Sequence, residues 1–183
     1  STTIRNMPPL ATAVNYTFLS AGTGLVKDLS NQIYQNATVA LLVNNLTADL
    51  VKPMLNFFTF DLNQGILIFT FSKKVLSSTF NTSGLIIFGS NMLPGTSLLL
   101  AQAAVSPTNT SSPVVTVTLS TSDLNALKAS SHIATSANTT FIIMSAGIVL
   151  DPAGNPSVAI SSLMPFQATD FIPDTTPPVL MGF

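Results

Sequence analysis

The fold of this chain is indicated most clearly by residues 54–72, which read MLNFFTFDLNQGILIFTFS. Two runs rich in aromatic and β-branched residues, Met54 to Phe60 and Gly65 to Ser72, flank the turn-forming segment Asp61-Leu62-Asn63-Gln64-Gly65. Aromatic and β-branched residues favour strands, whereas Asp, Asn and Gly favour turns, so this stretch predicts a β-hairpin. Both runs are more apolar than a half-exposed sheet requires. They indicate an ordinary buried core or, alternatively, a subunit interface over these strands.

Similar short runs continue on both sides of the hairpin, and together they predict an all-β protein. One segment differs, because Ser120, Thr121 and Ser122 offer an N-cap and are followed by an acid and by apolar residues three apart, up to Lys128. We expect a short helix there. The expected strands are Val14 to Ser20, Ala37 to Val43, Met54 to Phe60, Gly65 to Ser72, Leu85 to Phe88, Ser97 to Val105, Val114 to Leu119, Thr139 to Ser145, Ser157 to Leu163 and Val179 to Phe183.

The composition excludes several classes of function. Of the 183 residues, 46% are hydrophobic and only 7% are charged, and the net charge is −1. Such a chain lacks the basic surface that nucleic acid requires, so we expect no nucleic-acid partner. Every apolar run is interrupted well before about 18 residues, so we also expect no membrane insertion. The absence of Cys removes disulfides, thiolate chemistry and cysteine zinc sites.

The few groups that could carry chemistry are poorly arranged for catalysis. A Ser-His-Asp site would have to use His132, yet the chain has no Gly-X-Ser-X-Gly elbow. All seven acids are Asp and fall in or beside predicted turns, where their side chains cap the turn backbone. Two loops, Asp61 with Asn63 and Asp151 with Asn155, place oxygen ligands together, but each offers calcium a single carboxylate. We therefore expect no enzyme, no metal site and no cofactor.

Neutral polar residues replace charge on the expected surface, because Ser, Thr and Asn make up about a third of the chain. Composition alone would supply some Asn-X-Ser/Thr glycan acceptors by chance, but their excess indicates a secreted, glycosylated surface. The six acceptors are Asn15, Asn36, Asn45, Asn81, Asn109 and Asn138.

The sequence contains an internal repeat. Residues 10–18 match residues 133–141 at a spacing of 123, with Ala, Thr, Asn, Thr and Phe identical. At the same spacing Asp28 matches Asp151, and Asn31 matches Asn155 after a one-residue gap. Residues 52–58 match 177–183 at a spacing of 125. We therefore predict the last strands of one repeat over 1–52, a whole repeat over 53–177, and the first strand of a further repeat, or a donor strand, over 178–183.

Five segments of the sequence carry a family resemblance, namely residues 60–72, 123–128, 133–136, 151–155 and 174–180. Together they resemble the tandem immunoglobulin-like repeats of large secreted and cell-surface proteins. The resemblance implies an Ig-like antiparallel β-sandwich with a structural or adhesive role and no enzymatic activity. Where such repeats usually carry an acidic residue after Phe-Ser, this chain has Lys73 and Lys74, which removes that acid from any cation site. More loosely, the chain is similar to subunits of pilus-like fibrils joined by donor-strand exchange.

A partial sandwich and a single extra strand in one chain favour exchange of strands between copies, because open sheet edges pair readily. We therefore expect a structural subunit of an extracellular fibril or pilus-like appendage, a homopolymer assembled by strand donation. The alternative is a segment of a long tandem-repeat adhesin that binds glycan or another cell. The residues expected at the exchanged strands are Ile4, Met7, Leu10, Val179, Leu180, Met181 and Phe183.

Overall fold

The computed structural model describes residues 13–20, 23–24, 27–33, 40–90, 95–100, 103–105, 111–177 and 179. The chain forms two compact units, Ser1–Leu50 and Val51–Phe183, called the first and the second unit below. The predicted division after residue 52 lies close to this boundary. The assignment of residues 1–52, 53–177 and 178–183 to successive repeats stays a prediction.

The described residues are rich in β-strand, as predicted, and contain one α-helix, α1 (Thr121–Lys128). A hydrogen bond from the Asp123 backbone N–H to Ser120 Oγ caps this helix, so its predicted start is confirmed. The strands are β1 (Phe18–Leu19), β2 (Leu41–Leu42), β3 (Leu55–Asp61), β4 (Ile66–Leu76), β5 (Leu85–Phe88), β6 (Ser97–Leu99), β7 (Ala104–Val105), β8 (Ser111–Thr118), β9 (Phe141–Met144), β10 (Phe166–Gln167) and β11 (Asp170–Ile172).

The predicted hairpin forms the centre of the second unit. Strands β3 and β4 pair antiparallel, and the Asp61 carboxylate accepts the Gln64 backbone N–H at 2.8 Å within the connecting turn. On each strand every second aromatic or aliphatic side chain is buried, Phe58 and Phe60 on β3 and Leu67 and Phe69 on β4 among them. The pleat directs alternate side chains to one face of the sheet, so this pattern fixes the register of the hairpin.

Two sheets of the second unit enclose one hydrophobic core. The five-stranded sheet has the order β11-β3-β4-β8-β7, and the four-stranded sheet has the order β10-β9-β5-β6. Buried residues from both sheets, such as Phe69 and Val117 from the first and Ile87 and Ile142 from the second, belong to the same cluster. The core therefore derives from the packing of one sheet on the other.

One short segment joins the two sheets. The backbone N–H of Ala168 donates to Thr140 O beside β9, and the next N–H, of Thr169, donates to Phe58 O on β3. The chain thus leaves the four-stranded sheet as β10 and continues in the five-stranded sheet as β11. This crossing brings β11 alongside β3 in the same direction. The predicted purely antiparallel pairing is therefore wrong at this pair.

Three other predicted strands differ from the structure. Residues 97–105 form β6 and β7 in different sheets, separated at the fully buried Leu100 and by residues outside the description. Residues 157–163 make only an isolated bridge at Ile160, because Ser161 closes a turn by accepting the Leu163 N–H on its hydroxyl. The strand expected from residue 14 begins with a 3-10 turn, Val14–Tyr16, and is extended only at β1.

Close backbone packing in the second unit gives a stability prediction. A methyl group added to Gly89 would overlap the backbone carbonyl oxygen of His132, so one of the two backbone segments would have to shift. Gly89→Ala should therefore destabilise the unit by about 3 kcal/mol or more, measured by urea unfolding followed by circular dichroism.

Gly154→Ala is the matched control, because nothing lies within 4 Å of its added methyl group. Its backbone has a φ of +86°, so this substitution should cost only about 1–2 kcal/mol. Equal losses in the two variants would contradict the packing argument.

Candidate functional site

The first unit reproduces part of the second unit, beginning with a turn. Val14–Tyr16 and Ala137–Thr139 both form 3-10 turns, at the predicted spacing of 123 residues. The Thr17 hydroxyl donates to Ala13 O at 2.8 Å, and the equivalent Thr140 hydroxyl donates to Ser136 O at 2.7 Å. The sequence match therefore corresponds to the same local hydrogen bonds.

The equivalence continues through an Asp loop in each unit. The Asp28 carboxylate accepts the Gln32 backbone N–H at 2.7 Å, and the Asp151 carboxylate accepts the Asn155 backbone N–H at 2.8 Å. Each loop is closed by an isolated antiparallel bridge, Lys27 with Ile33 and Leu150 with Pro156. Both loops are thus held by the same Asp-centred pattern.

The predicted alignment of these loops is wrong by one residue. The structure matches Asn31 with Gly154 and Gln32 with Asn155, without the gap that would bring Asn31 onto Asn155. The reason is conformational: Asn31 and Gly154 both have positive φ, 63° and 86°, a region that Gly and Asn occupy more readily than other residues. Sequence identity favoured the Asn-to-Asn match, whereas the turn geometry decides the pairing.

The equivalence extends into strands. Phe18 pairs with Leu42 across β1 and β2, as Phe141 pairs with Gln167 across β9 and β10. The Val43 N–H then donates to Thr17 O, as the Ala168 N–H donates to Thr140 O. The described residues between 13 and 43 therefore repeat several hydrogen bonds of residues 136–168, and the spacing grows from 123 to 125 before β2.

The two copies differ in burial. In the second unit Phe141 is 7% exposed and Ile142 is fully buried, because β5 pairs with the outer edge of β9 and the five-stranded sheet covers its face. In the first unit the equivalent Phe18 and Leu19 are 54% and 65% exposed. None of the first-unit residues that the structure describes is buried. Strand pair β1/β2 thus presents an apolar surface that its counterpart conceals.

The predicted oxygen cluster at Asp151 is engaged by a lysine. Asp151 Oδ2 accepts Lys73 Nζ at 2.5 Å and Asn155 Nδ2 at 3.0 Å, while Oδ1 accepts the backbone N–H groups of Ala153 and Asn155. Lys73 Nζ also donates to Val51 O at 2.8 Å. The ammonium group therefore supplies the positive charge next to this carboxylate. Lys73 is one of the two lysines, Lys73 and Lys74, that follow Phe-Ser where the resemblance implied an acidic residue.

These contacts set the ionisation of Asp151. Desolvation of the buried carboxylate is the largest single influence and raises its pKa, but hydrogen bonds from Lys73 and Asn155 together outweigh it. The pKa of Asp151 is therefore lowered, and the ionised form is stabilised by the fold.

The other pair of loop oxygen ligands, Asp61 and Asn63, serves different partners. Asp61 caps its own hairpin turn, whereas Asn63 Oδ1 accepts the Thr176 hydroxyl at 2.7 Å. Across the part of the chain that the structure describes, no group of three or more His, Cys, Asp or Glu residues could hold a metal ion. His132 is exposed, and its backbone N–H donates to the Ser130 hydroxyl.

The predicted glycan acceptors lie on the surface wherever the structure describes them. Asn15, Asn45, Asn81 and Asn138 are exposed, whereas Asn36 and Asn109 lie outside the described residues. Asn15 and Asn138 occupy equivalent positions in the two 3-10 turns, and Asn138 Oδ1 accepts Gln167 Nε2 at 3.0 Å.

Only one of the predicted strand-exchange residues is described. Val179 is 74% exposed. Just before it, Asp174 forms an ion pair with Lys128 at 3.0 Å, so this part of the chain is fixed to the end of α1. The remaining candidates, Ile4, Met7, Leu10, Leu180, Met181 and Phe183, lie outside the described residues.

Comparisons with known proteins give little further information. No model of a known protein family and no curated protein matches the chain. One solved structure that the chain is similar to is the N-terminal part of the bacterial S-layer protein SbsC, with 18% identity and a TM-score of 0.40. The match covers 64% of this chain and 24% of that one. Among the described residues, no helix is long and apolar enough to cross a membrane.

The Asp151–Lys73 pair gives a prediction with a defined pH dependence. Because the folded-state pKa of Asp151 is lowered, its carboxylate stabilises the fold above the unfolded-state pKa of about 3.9, and this stabilisation disappears as the pH falls through the folded-state value. Asp151→Asn should reduce the free energy of unfolding by about 2 kcal/mol or more at pH 7. The difference from the natural chain should shrink steadily as the pH falls below about 4.

Urea unfolding at a series of pH values tests this prediction. Asp174→Asn is the control, because its ion pair with Lys128 is partly exposed, in contrast to the fully buried Asp151 carboxylate, and its loss should change stability less. A loss at Asp151→Asn that persists unchanged at low pH would show that charge is not the cause.

Proposed function

We propose that this protein is a structural subunit of an extracellular or cell-surface fibre, built from Ig-like units that complete their sheets with strands of other copies. The observation that carries the proposal is the first unit, whose described residues repeat several hydrogen bonds of residues 136–168 while their apolar strand pair stays exposed. A surface that is concealed in one copy of a repeat and open in the other is suited to receive strands from elsewhere.

The strand order of the second unit supports an Ig-like sandwich. Immunoglobulin domains place their first, second, fifth and fourth strands in one sheet, and their third, sixth and seventh in the other. Here β3, β4, β8 and β7 follow one another in the five-stranded sheet, and β5, β9 and β10 are neighbours in the four-stranded sheet. With β6 taken as an additional strand after the third, the two orders correspond.

The direction of the first and last strands supports a serial arrangement of units. Since β3 and β11 are parallel neighbours, the chain begins the second unit at one end of this strand pair and leaves it at the other. Contacts of Asp174 and Thr176 with Lys128 and Asn63 then fix the departing segment. Entry and exit at opposite ends of one unit are a geometry that a fibre of successive units requires.

The energetic argument concerns the exposed strand pair. Burying a side chain the size of Phe18, Leu19, Leu41 or Leu42 contributes roughly 1.5–3 kcal/mol relative to leaving it in water. Four such side chains would together supply a substantial part of a subunit contact. The proposed role is not enzymatic, since its basis is this apolar surface and not a set of reactive groups.

A tandem-repeat adhesin is the second candidate. The internal repeat and the fixed departing segment favour it as well, because a long chain of such units needs the same end-to-end geometry. In that case the strands that cover the first unit belong to the same polypeptide, and the fibre is covalent.

Negative-stain electron microscopy of the native material, combined with a denaturing gel before and after enzymatic removal of N-glycans, tests the proposal. We expect regular filaments that dissociate only on denaturation, into one band of at least 19.2 kDa that becomes smaller after deglycosylation. Beaded threads with a band many times larger would favour the adhesin. Single globular particles would contradict both candidates.

The exposed strand pair gives a variant that tests the same proposal. Phe18→Ser combined with Leu19→Ser should remove filaments, because about 3–6 kcal/mol of apolar burial is lost at each contact. Unfolding of the second unit should be unchanged, since neither residue belongs to its core.

Phe57→Ser is the matched control, because Phe57 is an exposed apolar residue on the outer face of β3 in the second unit. Filaments should form normally in this variant. If Phe57→Ser abolishes them and the double variant does not, the subunit contact lies on the hairpin strands instead.

A further inference from the structure

An exposed asparagine recurs at the same place in the two units. Asn15 and Asn138 lie at equivalent positions of the two 3-10 turns, and both residues are exposed. Each begins an Asn-X-Thr acceptor motif, which Thr17 completes in the first unit and Thr140 in the second. The middle residue of the motif differs between the copies. The repeat thus keeps the two residues that N-glycosylation requires.

Folding explains why both copies have the threonine. Each hydroxyl donates to the carbonyl oxygen four residues earlier, that of Ala13 for Thr17 and that of Ser136 for Thr140. These bonds close the turn before the strand pair begins. The threonine by itself therefore indicates nothing about a sugar.

Folding does not explain in the same way why both copies have the asparagine. Asn138 Oδ1 accepts Gln167 Nε2 at 3.0 Å, and this bond joins the turn to β10. The first unit has Leu42 in the place of Gln167, and a leucine side chain offers Asn15 no donor. The bond to Gln167 is therefore not the reason that the two copies share.

Another acceptor shows the contrast. Asn81 Oδ1 accepts both the backbone N–H and the hydroxyl of Ser83, at 3.1 and 2.8 Å, and so caps the 3-10 turn Thr82–Gly84. Capping accounts for an asparagine at that position. Asn15 and Asn138 instead lie inside their turns, one residue after the first turn residue, and neither is the capping residue.

We propose that Asn15 and Asn138 form a repeated N-glycosylation site, with one N-linked glycan for each unit. The proposal rests on the proposed function, because the chain must enter a secretory pathway, and it specifies which asparagines are modified there. Nδ2 bonds to the anomeric carbon of an oligosaccharide that is linked to a lipid diphosphate. The bond from that carbon to the diphosphate oxygen breaks, the lipid diphosphate leaves with the bonding electrons, and Nδ2 releases one proton.

The folded structure accommodates a sugar at both positions. The attachment points precede the first paired residues, Phe18 on β1 and Phe141 on β9, so the sugar takes no place in either strand pair. Thr140 is fully buried in the folded unit, so the transferase must recognise this motif before the turn folds. Once attached, the sugar hydroxyls hydrate the surface of a chain in which only 7% of the residues are charged.

Site-resolved mass spectrometry of the native material tests the proposal. Enzymatic removal of an N-linked glycan converts the linked asparagine into aspartate, and heavy-oxygen water labels that aspartate. We expect the label at both Asn15 and Asn138 in most molecules. The measurement is made on peptides, so it does not depend on how the chain folds or assembles.

Two variants of the full chain, Asn15→Gln and Asn138→Gln, test the positions separately after expression in a eukaryotic cell line with a secretion signal. Each variant should be smaller by the mass of one glycan on a denaturing gel, and the double variant by the mass of two. Total cell material is measured, so a variant that folds poorly still gives a result.

Asn56→Gln is the matched control, because Asn56 is also an exposed asparagine but begins no acceptor motif. Its mass should equal that of the natural chain.

Each result decides the proposal. An unlabelled Asn15 or Asn138, or an unchanged mass in either variant, would overturn it. Label confined to other acceptors would also overturn it and would show that the repeated asparagine serves folding alone. Filaments in native material that lacks label at both positions would leave the proposed function standing, whereas label at both positions on single globular particles would support the site and contradict the fibre.

Discussion

The second unit depends on one crossing point, where two successive backbone N–H groups donate to different sheets. Ala168 bonds to the segment beside β9 and Thr169 bonds to β3, so the chain passes from one layer of the core to the other between β10 and β11. Its small, buried side chain at residue 168 lets the backbone pass between the layers. The position of β11, the parallel pair with β3 and the fixed departure of the chain near Asn63 and Lys128 all follow from this crossing.

The hydrogen bonds common to both units distinguish the features that local sequence determines from the burial that packing determines. The 3-10 turn, the Asp-centred loop and the first strand pair form in both units, although only the second unit buries the side chains. The hydrogen bonds of the turn and of the Asp loop join residues close together in sequence, so these two features need no core. Burial requires β5 and the five-stranded sheet, and Lys73 is added to the Asp loop only in the second unit.

The sequence predicted the features whose determinants are adjacent: the hairpin at residues 54–72, the capped helix α1 and the strand Leu85–Phe88. It did not predict which sheet a strand joins, so the division of residues 97–105 and the parallel β11 were missed. At the candidate site, identity revealed the repeat but misaligned the loop at Asn31. The Lys73–Asp151 pair spans 78 residues, and its one local signal was a lysine at a position where the resemblance implied an acid.

The parallel neighbours β3 and β11 also determine how the second unit would respond to force. Tension applied at its two ends pulls these strands in opposite directions along their common axis, so their hydrogen bonds are loaded together in shear. Hydrogen bonds that are loaded together resist extension better than bonds that open one after another. Sequential opening of this kind occurs when an antiparallel hairpin is pulled apart from its free ends. A domain with this geometry is suited to transmit load along a chain while its core remains folded.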